Sequence, residues 1–141
     1  MVNPISYKYD FTNLLYAYDV NTKVWNTPKT TGVTPINRRD GSAVVDDKGK
    51  MYIFGGSTGK PTGSPTVQAF NDMYILNTVD LNWSLASATN SPLATSDHTS
   101  TLLPDGRIVI IGGREGNSQA LVNMNIVCIY FNFFENINNF F

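Results

Sequence analysis

Residues 40–56, DGSAVVDDKGKMYIFGG, return without a gap at residues 97–113 as DHTSTLLPDGRIVIIGG. The offset is 57 positions: Gly49 falls on Gly106, Lys50 on Arg107, and Gly55-Gly56 on Gly112-Gly113. A second echo surrounds it. Residues 14–25, LLYAYDVNTKVW, align with residues 72–83, DMYILNTVDLNW, placing Tyr16 on Tyr74 and Trp25 on Trp83. Self-similarity at a period near 50 residues means stacked units, none of which can bury its apolar face alone.

Each unit reads as strands and tight turns. Met51-Tyr52-Ile53-Phe54 is apolar throughout, and its counterpart Ile108-Val109-Ile110-Ile111 is β-branched at every position. Such runs favour strands covered on both faces. Asp46-Asp47-Lys48-Gly49 before the run suits a type I turn closed by a glycine at positive φ. The expected strands are 14–19, 23–26, 42–46, 50–54, 72–77, 82–86, 99–103, 107–111 and 123–128, and the fold class is all-β.

Gly55 and Gly56 after a strand, Asp72 before the next, then Tyr74, then Trp83 nine residues on, together resemble the kelch repeat. Gly112, Gly113, Tyr16 and Trp25 extend the pattern, which covers about residues 12–127. The resemblance implies an incomplete β-propeller of four-stranded antiparallel blades, with the Gly-Gly strand second and the Trp strand fourth. It divides the chain into a leader (1–11), the outer strands of a first blade (12–27), a complete blade (40–86), an incomplete blade (98–130) and an atypical tail (131–141). About two and a half repeats fall short of the roughly 4–8 blades that close a propeller. A fragment of a larger propeller is therefore expected, with self-association through its open blade edges.

The tail departs from the repeat. Aligning residues 121–124 on 70–73 puts Asn125 at the Tyr74 position and Phe134 at the Trp83 position. Residues 131–141, FNFFENINNFF, are almost wholly Phe, Asn and Ile. This reads either as a reading frame running into non-coding sequence near Val127 or as a diverged fourth strand.

A net charge of −1 gives no electrostatic case for nucleic acid. The lone cysteine, Cys128, excludes an intramolecular disulfide. Neither a signal-peptide core nor a membrane-length apolar run is present. The compartment is unknown, with the cytoplasm as default.

In a four-stranded meander the 1–2 and 3–4 turns share one face, and the 2–3 and 4–1 connections share the other. The first set is short (46–49, 19–23, 77–81). The second is long (57–71, 114–122, 27–39, 87–97). Long loops on a rigid scaffold are where binding sits. Arg38, Arg39 and Asp40 stand on that face where the chain enters an innermost strand. The kelch resemblance implies that arginines here line a central opening and meet acidic ligands. A solvated Arg–Asp pair is the plain alternative, and Thr95 and Ser96 replace the arginines in the second copy.

His98 is the sole histidine. It joins these three as a candidate partner-binding residue, although packing is the commoner fate of a lone His. Gly55 to Lys60, GGSTGK, fails as a phosphate loop: Phe54 and Pro61 occupy positions that need Gly and Ser or Thr. Trp25, Trp83, Tyr16 and Tyr74 recur at repeat spacing, which points to blade packing rather than sugar stacking. Asn82-Trp83-Ser84 matches the glycosylation pattern from inside an expected strand.

The reading is a non-catalytic interaction module for a protein partner, with no cofactor. The rival is a fragment of a galactose-oxidase-like copper enzyme whose ligands lie on other blades. One His, with Cys128 in the atypical region, cannot assemble that copper site here.

Overall fold

A computed structural model describes residues 13–87, 91–118, 120–122 and 127–130, the last four by backbone alone. Its strands, in chain order, are β1 (Ala17–Asp19), β2 (Val24–Asn26), β3 (Thr31–Gly32), β4 (Ser42–Val45), β5 (Lys50–Phe54), β6 (Met73–Asn77) and β7 (Asn82–Leu85). There follow β8 (Thr95–Ser96), β9 (Thr99–Leu102), β10 (Ile108–Ile111), β11 (Arg114–Glu115), β12 (Ala120–Leu121) and β13 (Val127–Tyr130). Among the described residues one 3₁₀ turn, Lys60–Thr62, interrupts the β structure. No helix among the described residues is long and apolar enough to cross a membrane.

The strands β4, β5, β6 and β7 form an antiparallel meander, one whole propeller blade. The architecture is an incomplete kelch-type β-propeller. The next blade supplies β9, β10 and β13 in the same antiparallel order. Ahead of the whole blade, β1 and β2 pair only with each other among the described residues. We number these the first (β1–β2), second (β4–β7) and third (β9, β10, β13) blades.

Short turns on one end are set by side chains. Asp46 Oδ1 accepts the backbone N–H groups of Lys48 (3.0 Å) and Lys50 (2.8 Å), and its Oδ2 accepts the Tyr52 hydroxyl (3.1 Å). The repeat is also conformational: Lys23 and Leu81, at matching positions, have φ of 59° and 54°, and Asp40 and Asp97 have 59° and 58°.

The core is the seam between the second and third blades. Tyr52, Phe54 and Met73 from one side pack with Ile108 and Ile110 from the other, and Val44, Ile75, Ala86 and Leu102 close around them. Burying a large apolar side chain contributes about 1.5–3 kcal/mol, so this seam carries much of the stability. On the opposite side of the second blade, Leu76 and Trp83 are 1% and 3% exposed.

Three findings depart from the sequence reading. Trp25, at the Trp83 position, is 66% exposed and meets the Tyr18 ring at 5.0 Å between ring centroids and a 48° tilt. Tyr16 is 47% exposed and lies just ahead of β1. Among the described residues β1 and β2 have no inner strands beside them to cover such rings. Second, Ile111 faces Val127 as Phe54 faces Met73, so Val127 takes the Met73 position and Cys128 that of Tyr74. The third strand therefore begins three residues later than the alignment placed it, because the loop ahead of it differs in length. Third, the connection 27–39 contains β3, which adds parallel to the outer edge of β7. Asn82 Nδ2 donates to Thr31 Oγ1 at 2.9 Å beside it. The leader 1–11 and the tail 131–141 lie outside the described residues.

Candidate functional site

The long-loop end of the second blade is built from backbone ladders. Arg39 N–H donates to the Ser57 carbonyl at 2.9 Å, and Ser57 N–H returns the bond at 2.8 Å. Ser57 bridges in turn to Ala69. The third blade repeats this as β8, β11 and β12, with Ser96 opposite Arg114 and Arg114 opposite Leu121. The loop 57–71 is internally braced. Thr58 Oγ1 donates to the Thr66 carbonyl (3.0 Å) and accepts the Gln68 N–H (3.0 Å). Asn117 Oδ1 of the next blade accepts the Ala69 N–H at 3.3 Å.

The Gly-Gly pair makes this packing feasible. Gly55 has φ +61°, and a Cβ there would lie 2.6 Å from the Thr95 carbonyl oxygen; at Gly56, φ is +85° and the Arg39 carbonyl oxygen would be 2.7 Å away. Only a residue without a Cβ fits both the conformation and the space.

The four candidate residues divide by depth. Arg38 lies beneath the surface, its side chain 8% exposed. Its guanidinium forks onto Asp72: Nη1 donates to Oδ1 and Nη2 to Oδ2, the latter at 3.1 Å. Nη1 also donates to the Gly55 carbonyl at 3.1 Å. The cation sits 4.2 Å above the Phe70 ring and 5.2 Å from that of Tyr74. It thereby ties the end of β5 to the start of β6, and this pairing with Asp72 was not read from the sequence.

His98 is also buried, at 7% exposure. Its ring meets Phe54 edge to face at 5.4 Å, and Nδ1 pairs with Thr95 Oγ1 at 3.3 Å. Burial lowers its pKa, while the Phe54 carbonyl and the Asp97 charge oppose that shift. Nε2 makes no hydrogen bond of standard geometry among the described residues. His98 occupies the position of Gly41 in the preceding copy and fills the blade seam.

Arg39 and Asp40 remain at the surface, with side chains 44% and 30% exposed and paired Nη1 to Oδ2. One blade on, Arg114 Nε approaches Asp97 Oδ2 at 3.9 Å. Arg114 was missed in the sequence; it directly follows the second Gly-Gly pair, as Ser57 follows the first. The two blades thus present mixed-charge pairs side by side, linked by the Asp97 N–H to Asp40 carbonyl bond at 2.8 Å. Among the described residues no three His, Cys, Asp or Glu side chains gather as a metal centre would need.

A cleft of about 490 Å³ lies elsewhere, along Lys50, Ile75, Asn77 and Ser84. These residues share the face turned to the third blade, so the cleft is seam space beside the outer strands.

Comparisons with known proteins agree with this architecture. The model of the KLHDC2/KLHL20/DRC7 Kelch-repeats domain matches residues 5–134. Kelch domain-containing protein 3 of Bos taurus is 36% identical over 103 residues, which cover 72% of this chain and 25% of that protein. N-acetylneuraminate epimerase of Pasteurella multocida (strain Pm70) is 32% identical over 96 residues, covering 68% of this chain and 24% of the enzyme. A solved structure, that of YjhT, is 26% identical with a TM-score of 0.46, over 57% of this chain and 22% of its own. The chain spans about a quarter of the length of these curated relatives. With a family model running through both Gly-Gly pairs and both Trp positions, the chain belongs to the kelch-repeat family.

Proposed function

We propose that this chain is part of a larger propeller and acts as a non-catalytic protein-interaction module, with its contact surface on the long-loop end around Arg39 and Asp40. Kelch repeats generally serve protein interaction, which is the family-level support. One observation carries the local reading: Arg39 and Asp40 are accessible side chains on a backbone fixed by a doubly bonded ladder to Ser57. Groups held on rigid backbone lose little freedom on binding. Arg38 and His98 support this surface from beneath, and the partner's contacting segment is acidic, answering Arg39.

The test is capture of the partner by the full-length protein carrying Arg39→Glu, with Lys48→Glu on the short-loop end as comparison. The expected result is loss of the partner with Arg39→Glu and retention with Lys48→Glu. Retention with both variants, or equal loss with both, would overturn the assignment of the face.

The likeness to an epimerase is the specific observation behind a second reading, in which the parent propeller is an enzyme and this chain carries only part of its site. Turnover of N-acetylneuraminate by the full-length protein would establish it, and no turnover would leave the interaction module.

A further inference from the structure

Four pairs of a hydroxyl residue and a following proline fall among the described residues: Thr27-Pro28, Thr34-Pro35, Ser64-Pro65 and Ser91-Pro92. Pro35 is buried and Pro28 and Pro92 are half-buried, whereas Pro65 is exposed, as are Gly63 and Thr66 beside the pair. Ser64-Pro65 belongs to the loop 57–71 on the long-loop end. There Ser64 Oγ donates to the Thr66 carbonyl (2.9 Å) and accepts the Thr66 N–H (3.3 Å), both at the surface. An enzyme that selects a hydroxyl by the proline after it must seat that proline in its own pocket. Of the four hydroxyls, Ser64 is the one the fold presents in this way.

The surroundings fit a phosphate at that place. Ser64 N–H donates to the Gly59 carbonyl at 3.2 Å, and Lys60 follows Gly59 in the chain. Arg39 Nε lies 4.0 Å from where a Cβ on Gly59 would stand, so its guanidinium reaches the same end of the loop. Thr66 Oγ1 is 3.5 Å from Ser64 Oγ, close enough to donate to a phosphate oxygen. Replacing the Ser64 hydroxyl proton by phosphorus removes its bond to the Thr66 carbonyl, but that carbonyl keeps Thr58 Oγ1 at 3.0 Å. The loop therefore takes the group without leaving an acceptor unpaired. A phosphoserine carries about −1.5 to −2 charges at pH 7, and it competes for Arg39 against the single charge of Asp40.

We propose that Ser64 is a phosphorylation site for a proline-directed kinase, and that its phosphate pairs with Arg39 and Lys60 and so withdraws Arg39 from the contact surface. In the kinase, Ser64 Oγ attacks the γ-phosphorus of ATP. The Oγ–P bond forms as the bond to the β-phosphate oxygen breaks, ADP leaves, and the hydroxyl proton passes to the kinase's carboxylate base. The loss of binding rests on the reading of Arg39 as the contact for an acidic segment; the modification and the ion pairing do not. Toward such a segment the phosphate acts twice. It occupies the arginine, and it repels the incoming carboxylates.

Treating the full-length protein with a panel of proline-directed kinases and ATP, then reading its peptides by mass spectrometry, tests the site. The expected result is phosphate on Ser64, lost in Ser64→Ala and in Pro65→Ala, and kept in Thr27→Ala and Thr34→Ala. Phosphorus NMR of the product reads the pairing. The second ionisation of the phosphate should fall roughly a few tenths of a pH unit below its ordinary value of about 6, and return when Arg39→Gln and Lys60→Gln are combined. Absence of phosphate on Ser64, a Pro65→Ala variant modified as well as the wild type, or an ionisation unmoved by the two substitutions would each overturn the proposal. Capture of the partner separates this from the assignment of the face. Loss with Arg39→Glu but retention by the Ser64-phosphorylated protein sinks the switch and leaves the face. Retention with Arg39→Glu sinks the face, and the mass and NMR readings still decide the site.

Discussion

Arg38 and Arg39 are neighbours in sequence with opposite fates, and the difference is measurable. Arg38 makes a buried fork on Asp72 and caps the Gly55 carbonyl. Arg38→Ala should cost about 1–3 kcal/mol, the range for losing charge-assisted hydrogen bonds at a partly exposed carboxylate. Arg38→Lys keeps the charge but not the fork and should recover only part of that. Arg39→Ala, at an exposed pair, should shift stability by less than about 0.5 kcal/mol. Urea unfolding of the three variants decides the order. The tryptophans divide in the same way: Trp83→Ala should cost roughly 3–5 kcal/mol and Trp25→Ala close to nothing. His98 supplies a pH dependence. Unfolded, its imidazole titrates near 6.5; folded, burial holds its pKa lower. Above 6.5 both states are neutral. Below it the unfolded chain takes up the proton more readily, so stability falls as the pH drops through and below 6.5. His98→Asn should remove this slope, and an unchanged slope between pH 7 and 5 would show that another group is responsible.

At the level of elements, β3 shows how the chain closes an edge. It lies against β7 with the Thr31 and Val33 N–H groups on the Leu81 and Trp83 carbonyls, both at 3.0 Å. Gly32 between them has φ +87°, and a Cβ there would come within 2.0 Å of the Trp83 carbonyl oxygen. Gly32→Ala should therefore strip β3 from β7 at a cost of roughly 1–3 kcal/mol. Faster amide exchange at Thr31 and Val33, with β6 unaffected, is the expected readout. This strand was invisible in the sequence because two residues carry no periodicity; a partner 51 positions away holds it. The short strands β8, β11 and β12 escaped notice for the same reason. By contrast, β5, β6 and β10 were legible because each is largely a run of apolar or β-branched residues bounded by turn chemistry, and β7, Asn82-Trp83-Ser84-Leu85, because its Trp recurs at the repeat spacing. The β13 register was misread because a loop of changed length shifts every position after it. At the candidate site the sequence showed Arg38, Arg39, Asp40 and His98 as polar groups near one strand, but carried no sign of which would be buried. That depended on Asp72 and Phe54, distant in the chain.

In the whole molecule, the backbone bonds that cross between the second and third blades gather at one end. Gly56 to Thr95, Thr95 to Phe70 and Asp97 to Asp40 all lie by the long loops. Among the described residues none is found between these blades at the short-turn end, where side-chain packing of Tyr52, Ile75, Ile108 and Leu102 holds them together. Apolar contact resists separation but tolerates small sliding, whereas a directed hydrogen bond loses strength steeply as it bends. The blades therefore resemble the leaves of a fan fixed near one end. Thermal motion should splay the short turns around 46–49 and 103–106 while the long-loop end stays fixed. The Gly56, Thr95 and Asp97 amides should then exchange more slowly than any amide in those turns. A ligand bridging two blades at the fixed end would meet a surface whose spacing hardly changes, and one gripping the other end would have to hold the leaves still.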